Sequence, residues 1–195
     1  VIFFNLRSDR ARQLTKIFVQ KDFSKRNKVD FAEPLHLNNL FFVAMTDFGP
    51  DLRGVVTAFS SHPINETLPF VLKNKKQLYL AESEKYAHMT YFFNGGYSKP
   101  VVGERRVFLQ SPNTDSYART PAMRVPDITQ KICNSLGEYD FIAANFASSD
   151  MIGHTGNAIA AGQAISIIDH QLEKISKEID KKNGTLVITA DHGNI

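Results

Sequence analysis

Apolar and polar positions fall into blocks along this chain, and the blocks change rhythm part-way. Val1 to Leu6 is an apolar run that reads as a buried strand. Ser8 or Asp9 is the expected cap of a helix over about 10–20, with Leu14, Ile17 and Phe18 on one face. The runs "NLFFVAMTDF" (39–48) and "VVTAF" (55–59) predict two further strands. "SSHPIN" (60–65) is polar, contains a proline and reads as a linker. Beyond it the pattern becomes regular. Residues 66–74 suit a helix, "QLYLAE" (77–82) a strand, and 85–93 a helix closed by Asn94-Gly95-Gly96. "RVFLQSP" suits a short strand inside the proline-containing stretch 97–126. Asp127 is the expected cap of a helix with Ile128, Ile132, Cys133 and Leu136 on one face, ended by Gly137. "YDFIAANF" (139–146) predicts a buried strand. A long helix over about 158–182 carries the stripe Ile165, Ile168, Leu172, Ile175 and Ile179 and closes at Asn183-Gly184. A last strand is predicted over 185–190.

Strands that are apolar on both faces and alternate with helices imply a parallel sheet covered on both sides. The expected fold is therefore α/β, a mostly parallel sheet sandwiched by helices over 66–195. It is preceded by the C-terminal part of a second α/β domain over 1–59, with 60–65 as a hinge. The chain begins without Met and reads as a strand already in progress, so both ends are expected to be cuts in something longer.

Composition narrows the field of functions. The chain has 195 residues, 43% apolar and 22% charged, with a net charge of +3. So small an imbalance argues against a dedicated nucleic-acid binder. The lysines of "KNKK" (73–76) and "KKNG" (181–184) sit near predicted helix ends, where cations suit the helix dipole. One cysteine, Cys133, excludes a disulfide within the chain and points to a reducing compartment. It is expected to be a buried structural thiol. No secretory signal and no apolar stretch of bilayer-spanning length is visible.

The chemistry is concentrated after predicted strands, where open α/β sheets place their ligands. "NF" of 139–146 leads into "ASSDMIGHTGN", with Asp150 and His154 four residues apart and so on one side of a helical turn. "LVITA" leads into Asp191-His192. Carboxylate oxygen with imidazole nitrogen suits Mn, Zn or Fe. Two such pairs suggest two metals, which in phosphotransferases clamp attacking and leaving oxygens. Four ligands fall short of two complete shells. Arg7 and Arg10 flank Ser8-Asp9 at a predicted helix start, where both forks suit one anion. A pairing of Arg10 with a neighbouring acid explains that residue equally well. Lys85 follows strand 77–82 and suits an anion in the same crevice; pattern alone favours a solvated lysine.

Four segments, "FFNLRSDRARQL", "LAESEKYAHMTYFFNGG", "NFASSDMIGHTGN" and "VITADHGN", resemble in order those of the cofactor-independent phosphoglycerate mutases, of the alkaline phosphatase superfamily. The resemblance implies a longer enzyme in which a transferase domain is inserted into a phosphatase-like domain. It implies interconversion of 3-phosphoglycerate and 2-phosphoglycerate in glycolysis, through a phosphoserine and with two Mn ions. By the same resemblance Asp150 and His154 bind one metal, and Asp191 and His192 the other. Arg7 and Arg10 hold the substrate, and Lys85 contacts the phosphoryl group. The nucleophilic serine matches nothing in this chain, which alone is expected to be inactive. A cytoplasmic, monomeric whole protein without nucleic-acid or membrane partners is implied, while the chain by itself is expected to self-associate. "SYARTPAMRV" stands where the family has "TYDLQPEMSA", and "ASSDM" where it has Asn-Pro before the Asp. A non-catalytic metal- or sugar-phosphate-binding relative, or a related phosphomutase or phosphatase, are the alternatives.

Overall fold

The computed structural model describes residues 1–30, 32–34, 36–49, 51–62 and 64–194. The chain divides into two compact units, Val1–His62 and Pro63–Ile195.

In the first unit, β1 (Ile2–Phe3), β2 (Phe42–Thr46) and β3 (Val55–Phe59) form a parallel sheet in the order β1-β2-β3. Helices α1 (Ser8–Val19) and α2 (Phe23–Asn27) lie between β1 and β2 in sequence. Ala11 of α1 packs with Ala44, Phe48 and Leu52, and Phe3 closes the cluster with an edge-on contact to Phe48. The start of α1 differs from expectation. The cap position is Arg7, with no side-chain cap bond among the described residues, and Ser8 and Asp9 are already helical. Asp9 instead faces the Arg7 guanidinium from the first turn, where a carboxylate also suits the helix dipole.

The second unit is built around β4 (Gln77–Glu82), the central strand of a parallel sheet ordered β5-β4-β6. Its neighbours are β5 (Arg105–Leu109) and β6 (Phe141–Ala144). All six residues of β4 are buried, so both of its faces are covered. Leu78 and Leu80 point towards α4 (Val125–Ser135) and α6 (Ala158–Asp180), packing with Ile128, Ile132, Ile175 and Ile179. Alternation sends Gln77 and Tyr79 to the other face. There Gln77 donates to the carbonyls of Pro69 and Leu72 at 3.1 and 2.8 Å, anchoring α3 (Leu68–Val71). Tyr79 meets Phe93 edge-on, with ring centres 5.2 Å apart. Burial, with Glu104 nearby, pushes the Tyr79 phenol well above its ordinary range. The parallel, helix-covered sheet inferred from strand composition is what the chain adopts.

Several elements depart from the sequence pattern, each for a local reason. The helix expected over 66–74 is only the single turn α3, because Gln77 holds its carbonyls in place. The helix expected over 85–93 is present as an unbroken helical stretch over 83–92, but it is wound tightly at Ser83–Lys85 and widely at His88–Phe92. The Phe93 amide reaches back five residues to the His88 carbonyl at 3.1 Å. A wider turn lets crowded aromatic residues reach different partners, Phe93 to Tyr79 and Tyr86 to Phe108. The segment closes at Gly95 (φ +78°), whose missing Cβ leaves room for the Ile64 carbonyl. Asp127 lies in the first turn of α4 but is not its cap. The helix begins at Val125, aided by Pro126, whose missing N–H costs nothing there. On α6 the buried stripe is Ala160, Ala164, Gln171, Ile175 and Ile179, and Ile165 is 48% exposed. The small alanines face Ile152 of α5 (Ser148–Gly153), which packs too closely for an isoleucine.

The largest departure is at 185–190, which is not a strand. Its apolar run has the right composition but pairs with no neighbour among the described residues, and Val187 is 79% exposed. Both ends of the segment are held by other groups. The Gly184 amide closes on Ile179 O (3.1 Å) and the Asn183 amide on Asp180 O (3.1 Å), with Asn183 left-handed at φ +52°. Asn194 is held at Asp150. The described sheet therefore stays three-stranded, in the order β5-β4-β6.

Leu80 sits at the centre of the packing, fully buried in the middle of β4. Leu80→Ala is expected to destabilise the second unit by about 2–5 kcal/mol. Urea denaturation followed by circular dichroism checks this; a change below about 1 kcal/mol would contradict the packing described.

Candidate metal and phosphoryl site

The carboxyl ends of β4 and β6 deliver the candidate groups of the second unit. β6 leads through Ala147 into α5, which carries Asp150 in its first turn, and His154 follows its end. The i, i+4 spacing works as the sequence suggested. His154 Nε2 lies 3.2 Å from Asp150 Oδ1. β4 ends at Glu82, and the tight turn Ser83–Lys85 brings the Lys85 ammonium onto Asp150 Oδ2 as a close ion pair. Both side chains are largely shielded, at 17% and 19% exposed.

Asn194, which sequence reading passed over, completes the surroundings of Asp150. Its amide nitrogen donates to Asp150 Oδ1 at 2.7 Å and to the Asp150 carbonyl at 3.0 Å. That contact sets the segment carrying Asp191 and His192 beside α5. Burial pushes the Asp150 carboxyl up, but the bonds from Lys85 and Asn194 outweigh it and hold the acid below its ordinary range. Asp191 and His192 are themselves exposed, at 81% and 61%, with His192 Nε2 3.3 Å from Asp191 Oδ2.

Each Asp–His pair has its oxygen and nitrogen about as far apart as two ligands of one ion bound at roughly 2.1 Å, a separation of about 3.0–3.4 Å. The donor set therefore fits a divalent metal. No three His, Cys, Asp or Glu side chains converge among the described residues. In this arrangement Lys85 supplies the positive charge that balances Asp150.

Arg7 and Arg10 lie in the first unit, at the start of α1. Arg7 Nε bonds both oxygens of Asp9 at 3.1 Å and remains 65% exposed on its side chain. Arg10 is exposed on the first turn. Asp9 in this segment is thus engaged by Arg7. Cys133 is a free, half-buried thiol packed against the core. Burial pushes its pKa up, with Glu178 adding to the effect, as suits a structural role.

Glu82 is a second group that sequence reading missed. It ends the central strand fully buried, and neither carboxyl oxygen has a well-formed hydrogen bond among the described residues. Desolvation raises its pKa, although the Ser111 hydroxyl and the Arg124 amide face it and pull the other way. A raised acid costs nothing below its unfolded value of about 4.5. Above that value the unfolded chain ionises freely and the folded one does not, so stability falls as pH rises towards the folded pKa. Glu82→Gln is expected to raise the melting temperature at pH 7.5 and to flatten its decline from pH 5. Equal slopes for the two proteins in a thermal melt series would refute this account of Glu82.

No helix among the described residues is long and apolar enough to cross a membrane. Residues 36–195 match the family model described as Metalloenzyme superfamily, and residues 1–50 match that of the BPG-independent PGAM N-terminus. The 2,3-bisphosphoglycerate-independent phosphoglycerate mutase of Clostridium botulinum strain Langeland is 44% identical over 200 residues, covering 100% of this chain and 38% of the relative. The protein of the same name from Moorella thermoacetica is 40% identical over 196 residues, covering 100% and 37%. A crystal structure of Leishmania mexicana phosphoglycerate mutase at low cobalt concentration superposes with a TM-score of 0.80 at 26% identity, covering 100% of this chain and 35% of that one. The chain thus spans well under half the length of the relatives it matches.

Proposed function

The chain belongs to the metalloenzyme superfamily, and from that premise we propose that it works within a longer phosphoglycerate mutase interconverting 3-phosphoglycerate and 2-phosphoglycerate. The observation that carries this reading is the meeting of Lys85 with Asp150, beside His154 and Asn194. A cation and a metal-ligating acid at one sheet edge suit a transferring phosphoryl group. The relatives' names support the substrate class.

In this reading Asp150 and His154 hold one manganese ion, and Asp191 and His192 contribute to a second. Bound divalent ions supply charge neutralisation at the phosphoryl oxygens and lower the pKa of an oxygen nucleophile. The chain's own residues do the rest. Lys85, held at the end of β4, exchanges its partner Asp150 for a phosphoryl oxygen when substrate arrives. Asn194 steadies the Asp150 carboxylate in its ligating orientation. Arg7 and Arg10, on the other unit, offer forks to the phosphate and carboxylate of the glycerate. Residues 1–59 belong to the substrate-binding domain, 60–65 to a hinge and 66–195 to the metal-binding domain. The acceptor serine lies outside these residues, so the isolated chain turns nothing over. The protein acts in the cytoplasm, as a monomer.

The test is a coupled assay of full-length protein with Mn and 3-phosphoglycerate. The expected result is 2-phosphoglycerate formation, lost on Asp191→Ala and absent from the isolated chain. Metal binding without turnover by the full-length protein would overturn the proposal in favour of a non-catalytic relative.

A further inference from the structure

The Lys85–Asp150 pair joins two elements, the turn after β4 and helix α5, and something must fix the distance between them. One side chain touches both. Tyr117 begins a short turn, Tyr117–Arg119, in the connection from β5 to α4. Its ring packs against the cluster of Ile152, Ala160 and Ala164, and Ile152 lies on α5 two residues beyond Asp150. Its hydroxyl donates to Glu84 Oε1 at 3.1 Å, and Glu84 is the residue before Lys85. Burial raises the Tyr117 phenol, and Glu84 as acceptor adds to that, so the hydroxyl keeps the proton it donates.

The same connection is tied to the turn at the preceding residues. Ser83 Oγ accepts from the Ser111 amide at 3.1 Å and faces Gln110 Nε2 at 3.4 Å. Glu82 faces Ser111. From behind, Arg124 Nε holds the Gln110 carbonyl at 2.8 Å. Residues 82, 83 and 84 are therefore each braced by the 110–117 segment, and Lys85 is the next residue along.

We propose that Tyr117 is a positioning residue, a strut between α5 and the Glu84–Lys85 turn that sets the reach of Lys85 to Asp150 and to the phosphoryl group. The ring supplies packing against α5, and the hydroxyl carries register to the turn. This role rests on Lys85 acting at the phosphoryl group. The lysine's placement itself is measured without turnover, which keeps the two claims separable.

The experiment uses full-length protein and the variant Tyr117→Phe, which keeps the ring and removes the hydroxyl. Lys85 is followed by reductive methylation and mass spectrometry, with the exposed Lys177 and Lys181 as internal references. Loss of the strut is expected to speed Lys85 modification at least about threefold and to lower kcat about three- to tenfold, the scale of one hydrogen bond, with KM within about twofold. In a Lys85→Met background the further loss of the Tyr117 hydroxyl is expected to leave residual activity unchanged. Glu84→Ala, which removes the acceptor, must reproduce the modification result and stands in should Tyr117→Phe fold poorly. Unchanged Lys85 reactivity in a folded variant overturns the proposal, as does an equal fall in kcat with and without Lys85. Wild-type protein without mutase activity would sink the proposed function and leave the modification result readable.

Discussion

A close ion pair between Lys85 and Asp150 is the interaction on which the candidate site depends. It joins the end of the central strand to the helix that follows its neighbour β6. Neither partner is buried enough to forbid hydration, yet both are shielded enough for the charge to matter. Asp150 is the node. One oxygen faces Lys85, and the other faces Asn194 and His154. In the proposed function Asp150 ligates a metal, and its charge is balanced before the metal arrives by Lys85. Asp150 and Lys85 therefore share one arrangement, so whatever moves one is felt by the other.

That arrangement stands on β4. Burial on both faces fixes the strand's register: Leu78 and Leu80 in the α4/α6 core, Gln77 and Tyr79 in the polar and aromatic contacts opposite. A one-residue slip would exchange the two sets and leave Gln77 in an aliphatic core. The strand consequently ends at a defined height, and Lys85 with it. Glu82 is the costly residue in this design, a buried acid at the sheet edge with poorly formed hydrogen bonds. Expensive polar groups of this kind cluster where a fold is shaped around chemistry.

Much of this was legible in the chain because period-two and period-3.6 signals are strong where burial is strong. The pattern of β4 gave its limits to the residue, and the i, i+4 spacing of Asp150 and His154 placed them together. It misled where a run's composition was read without its partner. Residues 185–190 have strand composition, but a strand exists only through a ladder, and no ladder forms there. Helical spacing of the large apolar residues put Ile165 inwards, whereas close packing of α5 on α6 selected the alanines. Asn194, Glu82 and Tyr117 lie in segments that the sequence singled out, but neither residue type nor periodicity gave them a role. Each matters through a contact distant in sequence, 44 residues in the case of Asn194 and Asp150. A hint was nonetheless present: Tyr117 sits in a segment with little periodicity, and such stretches hold their place through specific side-chain bonds.

The proposed function places a metal-assisted phosphoryl site around Asp150, at the ends of β4 and β6. Anomalous diffraction at the manganese edge, from crystals of the full-length protein soaked in Mn, tests it most directly. The expected result is one peak bonded to Asp150 and His154 and a second at Asp191 and His192, with Lys85 turned from Asp150 towards the open side of the site. Manganese absent from Asp150, with the Lys85 pair intact at saturating metal, would contradict it.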